Sequence, residues 1–319
     1  MQNITADQVA QTLDYPSLIE ALKEAFRGNI TVPMRHHHDM EQPGGRREST
    51  LLLMPAWESG KAVGVKLVTV SPENGEKNLP AIQGIYILFD GETGTPKALI
   101  EAKTLTARRT AAASALAASY LARSNSEKLT MVGTGVLAPS LIHAHAAIRP
   151  IKQVTIWGRD YDKAVALALE ITASGVPAQA TENLEAAVKS ADIISCATLS
   201  QQPLIKGTWL QSGQHLDLVG AYRPDMREAD DDAIRSSSIF VDTRAGATKE
   251  GGDIVIPIST GVLDINEIKA DLFDLARGQH PGRSNELEIT LFKSVGHALE
   301  DLAAAQLVDQ RTNNKKPHE

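Results

Sequence analysis

From Leu129 onward the chain alternates short apolar runs with stretches whose apolar residues recur at helical spacing: LTMVG, a helix ending at Ile148, VTIWG, DKAVALALEITASG, VPAQAT, NLEAAVKSA and DIISCAT. Strands that alternate with helices in this way pair in parallel through right-handed crossovers, so the pattern predicts an α/β domain with a doubly wound sheet. HLDLVGAY and SIFVDTR extend that sheet, with a charged helix expected between them over Met226–Arg235, and the domain is placed at residues 123–293. Residues 1–122 read differently. After an N-terminal helix come STLLLMPAW, AVGVKLVTVSP and AIQGIYILFDGETGTPKALIEA, strands joined by glycine-containing turns, which predicts an antiparallel, hairpin-rich sheet in a mixed α+β domain. Thr104–Arg123 has the alanine density of a long, close-packed helix leading into the second domain. Val295, Leu299, Leu302 and Ala303 predict a C-terminal helix over 294–312 that completes the first domain, and the tail NNKKPHE reads as disordered.

The first strand–helix step of the α/β domain, KLTMVGTGVLAPSLIHAHAAI, carries a G-x-G-x-x-A turn of the Rossmann type. Gly133 allows the tight bend, Gly135 lets the backbone approach a pyrophosphate, and Ala138 is the third small position where the helix packs on the strand. The free N–H groups at that helix start suit phosphate. The next strand, Gln153–Trp157, ends in Gly158, Arg159 and Asp160. An NAD site usually has a carboxylate here for the ribose 2′-hydroxyl, whereas a guanidinium can hold a 2′-phosphate through two hydrogen bonds. The sequence therefore favours NADPH over NADH, against the alternative of a solvated Arg159 with Asp160 as a displaced ribose ligand. The expected cofactor contacts are Gly133, Thr134, Gly135, Val136, Leu137, Ala138, Gly158, Arg159 and Asp160, together with Arg109, Thr198, Val219 and Val295.

Bulk properties narrow the partners. The chain has 319 residues, 42% hydrophobic and 22% charged, with a net charge of −7 and no basic block, which argues against nucleic acid or an anionic membrane as the main partner. The N-terminus has no basic region followed by an apolar run, and the expected location is cytoplasmic. The single cysteine, Cys196, lies in an apolar strand and reads as a structural thiol. His36, His37 and His38 are consecutive in a strand and alternate faces, so they do not converge on one ion, and no metal site is expected. No G-x-S-x-G turn supports a serine nucleophile.

Three cations stand out instead. Lys66 interrupts the apolar strand GVKLVTV, where an uncompensated ammonium costs several kcal/mol, so a carboxylate partner is expected. Arg109 lies near the start of the alanine-rich helix on a face poor in other charges, and Arg35 follows Pro33 in VPMRHHH. With no carboxylate cluster beside them in sequence, they point to an anionic substrate such as an α-imino or α-keto acid, placed in the cleft between the domains. Read singly, each is also compatible with a snorkelling or salt-bridged side chain.

KLVTV, LPAIQGIYILFDGETGTPKALIEA, LTARRTAAASALAA, the GTGVLA turn, VGAYRPDMREADD and TLFKSVGHALEDLAAA together make the chain resemble the ornithine cyclodeaminase and mu-crystallin family over nearly its whole length. The resemblance implies a homodimer whose first domain carries the subunit interface and substrate pocket, beside a Rossmann domain. It implies activities such as ornithine cyclodeamination, alanine dehydrogenation, or NAD(P)H-dependent reduction of cyclic ketimines, and some members are crystallins that bind thyroid hormone. Carried over by motif, Arg35 and Arg109 match the family's carboxylate-binding arginines and Lys66 its pocket lysine, with Lys66 the expected catalytic group. Cyclodeaminases resemble V-G-G-D after the strand that here reads Val219, Gly220, Ala221, Tyr222, so their catalytic aspartate is missing. RPDMRE is similar instead to the ketimine-reductase branch, which implies reduction of Δ1-pyrroline-2-carboxylate to L-proline, or of the piperideine homologue to L-pipecolate. Tyr222 is expected at the substrate, and with Met34 and Met54 it is expected to set pocket width. The rival readings are a cyclodeaminase, an amino-acid dehydrogenase and a non-catalytic NADPH-binding protein.

Overall fold

The computed structural model describes residues 1–44 and 47–313, and the expectation of a disordered tail falls, beyond Asn313, outside the described residues. The chain divides into two compact units, residues 1–109 with 298 onward, and residues 110–297. The division falls inside a helix, near its Arg109, whereas the sequence placed the boundary at the end of that helix.

The first unit opens with strand β1 (Gln2–Ile4), helix α1 (Ala6–Thr12) and helix α2 (Tyr15–Arg27). Thr5 and Gln8 form a reciprocal capping box on α1, and the Asp14 carboxylate accepts the Ser17 N–H to cap α2, so each start satisfies otherwise orphaned donors. Then come β2 (His36–Met40), β3 (Ser49–Glu58), β4 (Ala62–Val70), β5 (Ile82–Asp90), β6 (Pro96–Glu101) and helix α3 (Ala102–Leu121). The sheet order is β1-β6-β5-β4-β3-β2, antiparallel from β2 to β6 as the hairpin signals predicted, with β1 parallel to β6. One sheet face is buried at Met54, Ala56, Ala62, Lys66, Tyr86, Leu88 and Ile100. The C-terminal helix, Ala298–Asn313, packs on β3, β4 and β5 and on α2.

The second unit continues with β7 (Lys128–Val132), α4 (Ala138–Ile148), β8 (Gln153–Trp157), α5 (Tyr161–Ala173), β9 (Ala178–Ala180), α6 (Leu184–Ser190), β10 (Ile193–Cys196), β11 (His215–Leu218) and α7 (Asp231–Arg235). It ends with β12 (Ser238–Val241), α8 (Arg244–Glu250), α9 (Gly252–Ser259), β13 (Ala270–Asp271), α10 (Leu272–Ala276) and β14 (Thr290–Lys293), after which the C-terminal helix is α11. All eight strands pair in parallel in the order β13-β12-β14-β11-β10-β7-β8-β9. β10, β11 and β14 are buried at every position, as expected of central strands covered on both faces. The order reverses beside β7, which creates a crevice at the carboxyl ends of β7 and β10.

Two expectations need correction. The helix expected over Met226–Arg235 covers only Asp231–Arg235, because Ala229 instead forms a parallel bridge to Ile205 and the Asp253 carboxylate takes the Glu228 and Ala229 N–H groups. The C-terminal helix starts at Ala298, not 294, because the Val295 and Gly296 N–H groups donate to the Asp242 carboxylate and Gly296 has φ +81°. Among the described residues no helix is long and apolar enough to cross a membrane.

Candidate active site

In the first unit, β4 places Lys66 in one cross-strand row with Met54 on β3 and Tyr86 on β5. Both neighbours are buried on the same face, which turns the lysine toward α11. The first turn of α11 supplies Glu300 and Asp301, each fully buried, while Lys66 and Arg109 are 3% and 4% exposed. The Lys66 ammonium lies 2.9 Å from Asp301 Oδ1 and 2.7 Å from Oδ2. Arg109 donates from Nε to Asp301 Oδ1 at 2.8 Å and from Nη1 to Glu300 Oε2 at 2.6 Å. One carboxylate therefore bridges the two cations singled out in the sequence.

Asp301 is the carboxylate partner expected for Lys66, whereas the expectation that no carboxylate cluster lies near the cations is corrected. Two positive and two negative groups balance here, so the cluster is a buried ionic network before any substrate arrives. Burial pushes the Lys66 ammonium down to about 8, with Arg109 repulsion adding to it and Asp301 opposing it. Burial also works against the Arg109 charge, but the Asp301 and Glu300 carboxylates outweigh it and raise the pKa. For Asp301 burial is outweighed in turn by Arg109 and Lys66, which hold the carboxyl below its ordinary range. Arg109 Nη2 makes no hydrogen bond among the described residues and remains available as a donor. Arg35, partly exposed just before β2, contributes repulsion that further lowers Lys66. The Tyr86 hydroxyl is buried without a partner and rests where a Cβ on Gly64 would lie, 1.9 Å away, so only glycine fits beside the ring. Met54 is 4% exposed in the same row and Met34 is 69% exposed.

In the second unit, Gly133 has φ +112°, and a Cβ there would stand 2.7 Å from the Ala197 carbonyl oxygen and 3.3 Å from Thr198 Cγ2. The turn thus requires glycine and brings Thr198 to its side. A Cβ on Gly135 would meet nothing within 4 Å, so the backbone here borders open space. No side chain caps α4; Pro139 has no N–H, and the Ala138 and Leu141 N–H groups donate to the Gly135 and Leu137 carbonyls, with Val136 exposed and Ala138 buried at the helix start. A Cβ on Gly158 would stand 2.7 Å from Thr134 Cγ2, so a larger residue here would displace the Thr134 side chain. Asp160 caps α5 by accepting the Lys163 N–H, which lowers its pKa, while Arg159 is exposed and makes no ion pair among the described residues. The Gly133 N–H donates to the Trp157 carbonyl, and the open backbone that follows it, beside the exposed Arg159, fits a dinucleotide. Val219 is buried beside Cys196, Val295 lies in the loop after β14, and Tyr222 is 41% exposed just past Ala221, which has φ +47°.

Lys66 and Arg109 thus meet in one cluster, and Gly133, Gly135, Ala138, Gly158, Arg159 and Thr198 border one strand-end crevice. Glu300, Asp301 and Tyr86 were missed as site residues. The available signal for the first two was an adjacent acidic pair inside the otherwise apolar run ALEDLAAA. A second buried polar network in this unit joins Asp217 to His145, Ser195 and Ser114, but both serine hydroxyls donate to the carboxylate and every member is buried, so it is a packing device and not a nucleophile. Among the described residues no three His, Cys, Asp or Glu side chains form a metal-holding group.

Comparison with known proteins agrees over the whole length. A Δ1-pyrroline-2-carboxylate reductase of Colwellia psychrerythraea is 37% identical over 98% of this chain and 99% of its own. The Thermococcus litoralis Δ1-pyrroline-2-carboxylate reductase, solved with NADH and L-proline, is 34% identical and superposes with a TM-score of 0.92 over 98% of both chains. An archaeal alanine dehydrogenase, solved as a dimer with NAD, is 29% identical with a TM-score of 0.90 over 100% of this chain and 98% of its own. The ornithine cyclodeaminase/mu-crystallin pattern matches residues 3–316, and the chain belongs to that family.

Proposed function

We propose that the protein reduces Δ1-pyrroline-2-carboxylate to L-proline with NADPH. The observation that carries this reading is the buried Lys66–Asp301–Arg109 network, in a chain 37% identical to a reductase of that name. When bound, the nicotinamide supplies a hydride to the imine carbon. The chain's own residues bind and orient. Arg109 Nη2 and the Lys66 ammonium donate to the substrate carboxylate, with Arg35 adding positive charge, and Asp301 and Glu300 fix both cations in place. Holding the carboxylate at two points fixes the ring, and such orientation supplies several kcal/mol of the barrier. Tyr222 in place of an aspartate speaks against ornithine cyclodeamination, which needs an anion for the substrate amines.

The uncommitted Arg159 guanidinium supports NADPH over NADH. The sheet face opposite α11 supports a homodimer. There the cross-strand rows Leu53–Leu67–Ile85 and Trp57–Val63–Phe89 form an apolar surface left partly exposed in the single chain. Incubation with the pyrroline and NADPH carrying deuterium at C4 should give L-proline labelled at Cα. Unlabelled or absent proline, with either face of C4 labelled, would refute the reading.

A further inference from the structure

The second unit holds a buried ionic cluster that carboxylate binding in the first does not use. Glu228, in the loop after β11, is fully buried, and its Oε1 accepts the Thr198 N–H at 2.7 Å and the Thr198 hydroxyl at 2.8 Å. Asp253 Oδ1 accepts the Glu228 N–H at 2.7 Å, and Lys293 Nζ donates to Asp253 Oδ2 at 3.1 Å and to the Gly220 carbonyl. A Cβ on Gly220 would lie 2.5 Å from Glu228 Oε1 and 2.1 Å from the Thr198 carbonyl oxygen, so the two loops touch and only glycine fits between them. One carboxylate thereby ties the loop after β10 to the loop after β11.

Those loops leave the carboxyl ends of the two strands next to β7 on the side away from β8. A dinucleotide on a doubly wound sheet spans the crevice at the reversal point, one nucleotide to each half. β7 and β8 carry the glycine turn and Arg159, so the β10–β11 side flanks the nicotinamide half. Thr198, pinned by Glu228, forms that flank beside Gly133. The charged groups packed against Glu228 are Asp253 and Lys293; Asp217 on β11 also acts on the Cys196 thiol, which burial keeps neutral. Two carboxylates against one ammonium leave one net negative charge when Glu228 is ionised. A nicotinamide ring becomes positive when it gives up its hydride.

We propose that Glu228 is a positioning residue for the cofactor, one that fixes Thr198 at the nicotinamide side of the crevice and whose buried negative charge favours the oxidised nucleotide over the reduced one. The proposal rests on the dinucleotide reading above. A unit charge within about 10 Å of the ring, at an effective dielectric of about 20, changes the relative affinity for the two redox states by roughly tenfold. Glu228→Gln keeps an acceptor for the Thr198 N–H and hydroxyl but removes the charge.

The experiment measures dissociation constants of NADP+ and NADPH for the full-length wild type and Glu228→Gln at pH 8. The expected result is a several-fold to tenfold loss of NADP+ affinity relative to NADPH in the variant. A purely structural role would weaken both nucleotides together, and an unchanged ratio overturns the proposal. The same ratio in the wild type, followed from pH 8 to pH 6, should shift toward the variant's value, because burial pushes the Glu228 carboxyl up to about 7, against the pull of Lys293. The 2′-phosphate titrates in both redox states and cancels in the ratio. If Glu228→Gln does not fold, this wild-type titration decides alone, and a flat ratio overturns the proposal. A wild type that binds neither nucleotide refutes the cofactor reading itself.

Discussion

Replacing Lys66 by arginine isolates what its charge does in turnover. Burial holds the Lys66 ammonium near about 8, so roughly nine-tenths of it is charged at pH 7 and roughly one-tenth at pH 9. If the charged form binds the substrate carboxylate, kcat/KM for the imine falls about tenfold between pH 7 and pH 9, with a slope of −1 above pH 8. Arginine stays charged throughout this range and keeps the pairing with Asp301 available. Lys66→Arg should therefore have a lower but pH-independent kcat/KM from pH 7 to pH 9. The assay is initial-rate NADPH oxidation in a constant-ionic-strength buffer. The same descending limb in Lys66→Arg would assign the titration to the substrate or to another group and refute the role given to the ammonium. Absence of any limb in the wild type would refute it equally.

Two further perturbations test other parts of the account. Arg159→Ala should raise KM for NADPH by roughly ten- to hundredfold, the range of a lost charge-assisted pair, and leave KM for NADH within about twofold; equal changes for both would remove Arg159 from cofactor selection. His215, fully buried with Nδ1 bonded to the Thr290 hydroxyl at 2.9 Å, is pushed down to about 3 by burial. The folded state thus keeps it neutral while the unfolded chain takes up a proton below about 6.5, so stability falls as pH drops from about 6.5 toward 3. The contribution lost between pH 7 and pH 5 is about 2 kcal/mol by this linkage, and urea unfolding of His215→Gln at the two pH values should show a slope smaller by that amount.

The strand–helix alternation and the glycine turn were legible because both are local. Strands such as β8 and β10 are short apolar runs, and the tight bend at Gly133 is set by the turn's own backbone. What escaped is long-range. β14 inserts between β11 and β12, pairing Phe292 with Asp217 and Phe240, and β1 pairs with β6 near the other end of the first unit's sheet, contacts that no local period encodes. Val295 continued the apolar spacing of α11 in sequence, yet Asp242, more than 50 residues earlier, captures the Val295 and Gly296 N–H groups. The cations were recognisable as Lys66 and Arg109 because ammonium and guanidinium groups are rare among apolar neighbours. Their shared partner was not, since Asp301 lies 235 residues from Lys66 and reads locally as an ordinary acid in the first helical turn.

The most direct test of the central claim is NADPH oxidation with Δ1-pyrroline-2-carboxylate, run beside an assay for ammonia released from ornithine. The account predicts rapid NADPH loss matched by L-proline, with no ammonia. Ammonia from ornithine without net NADPH consumption would contradict it and make the protein a cyclodeaminase despite Tyr222.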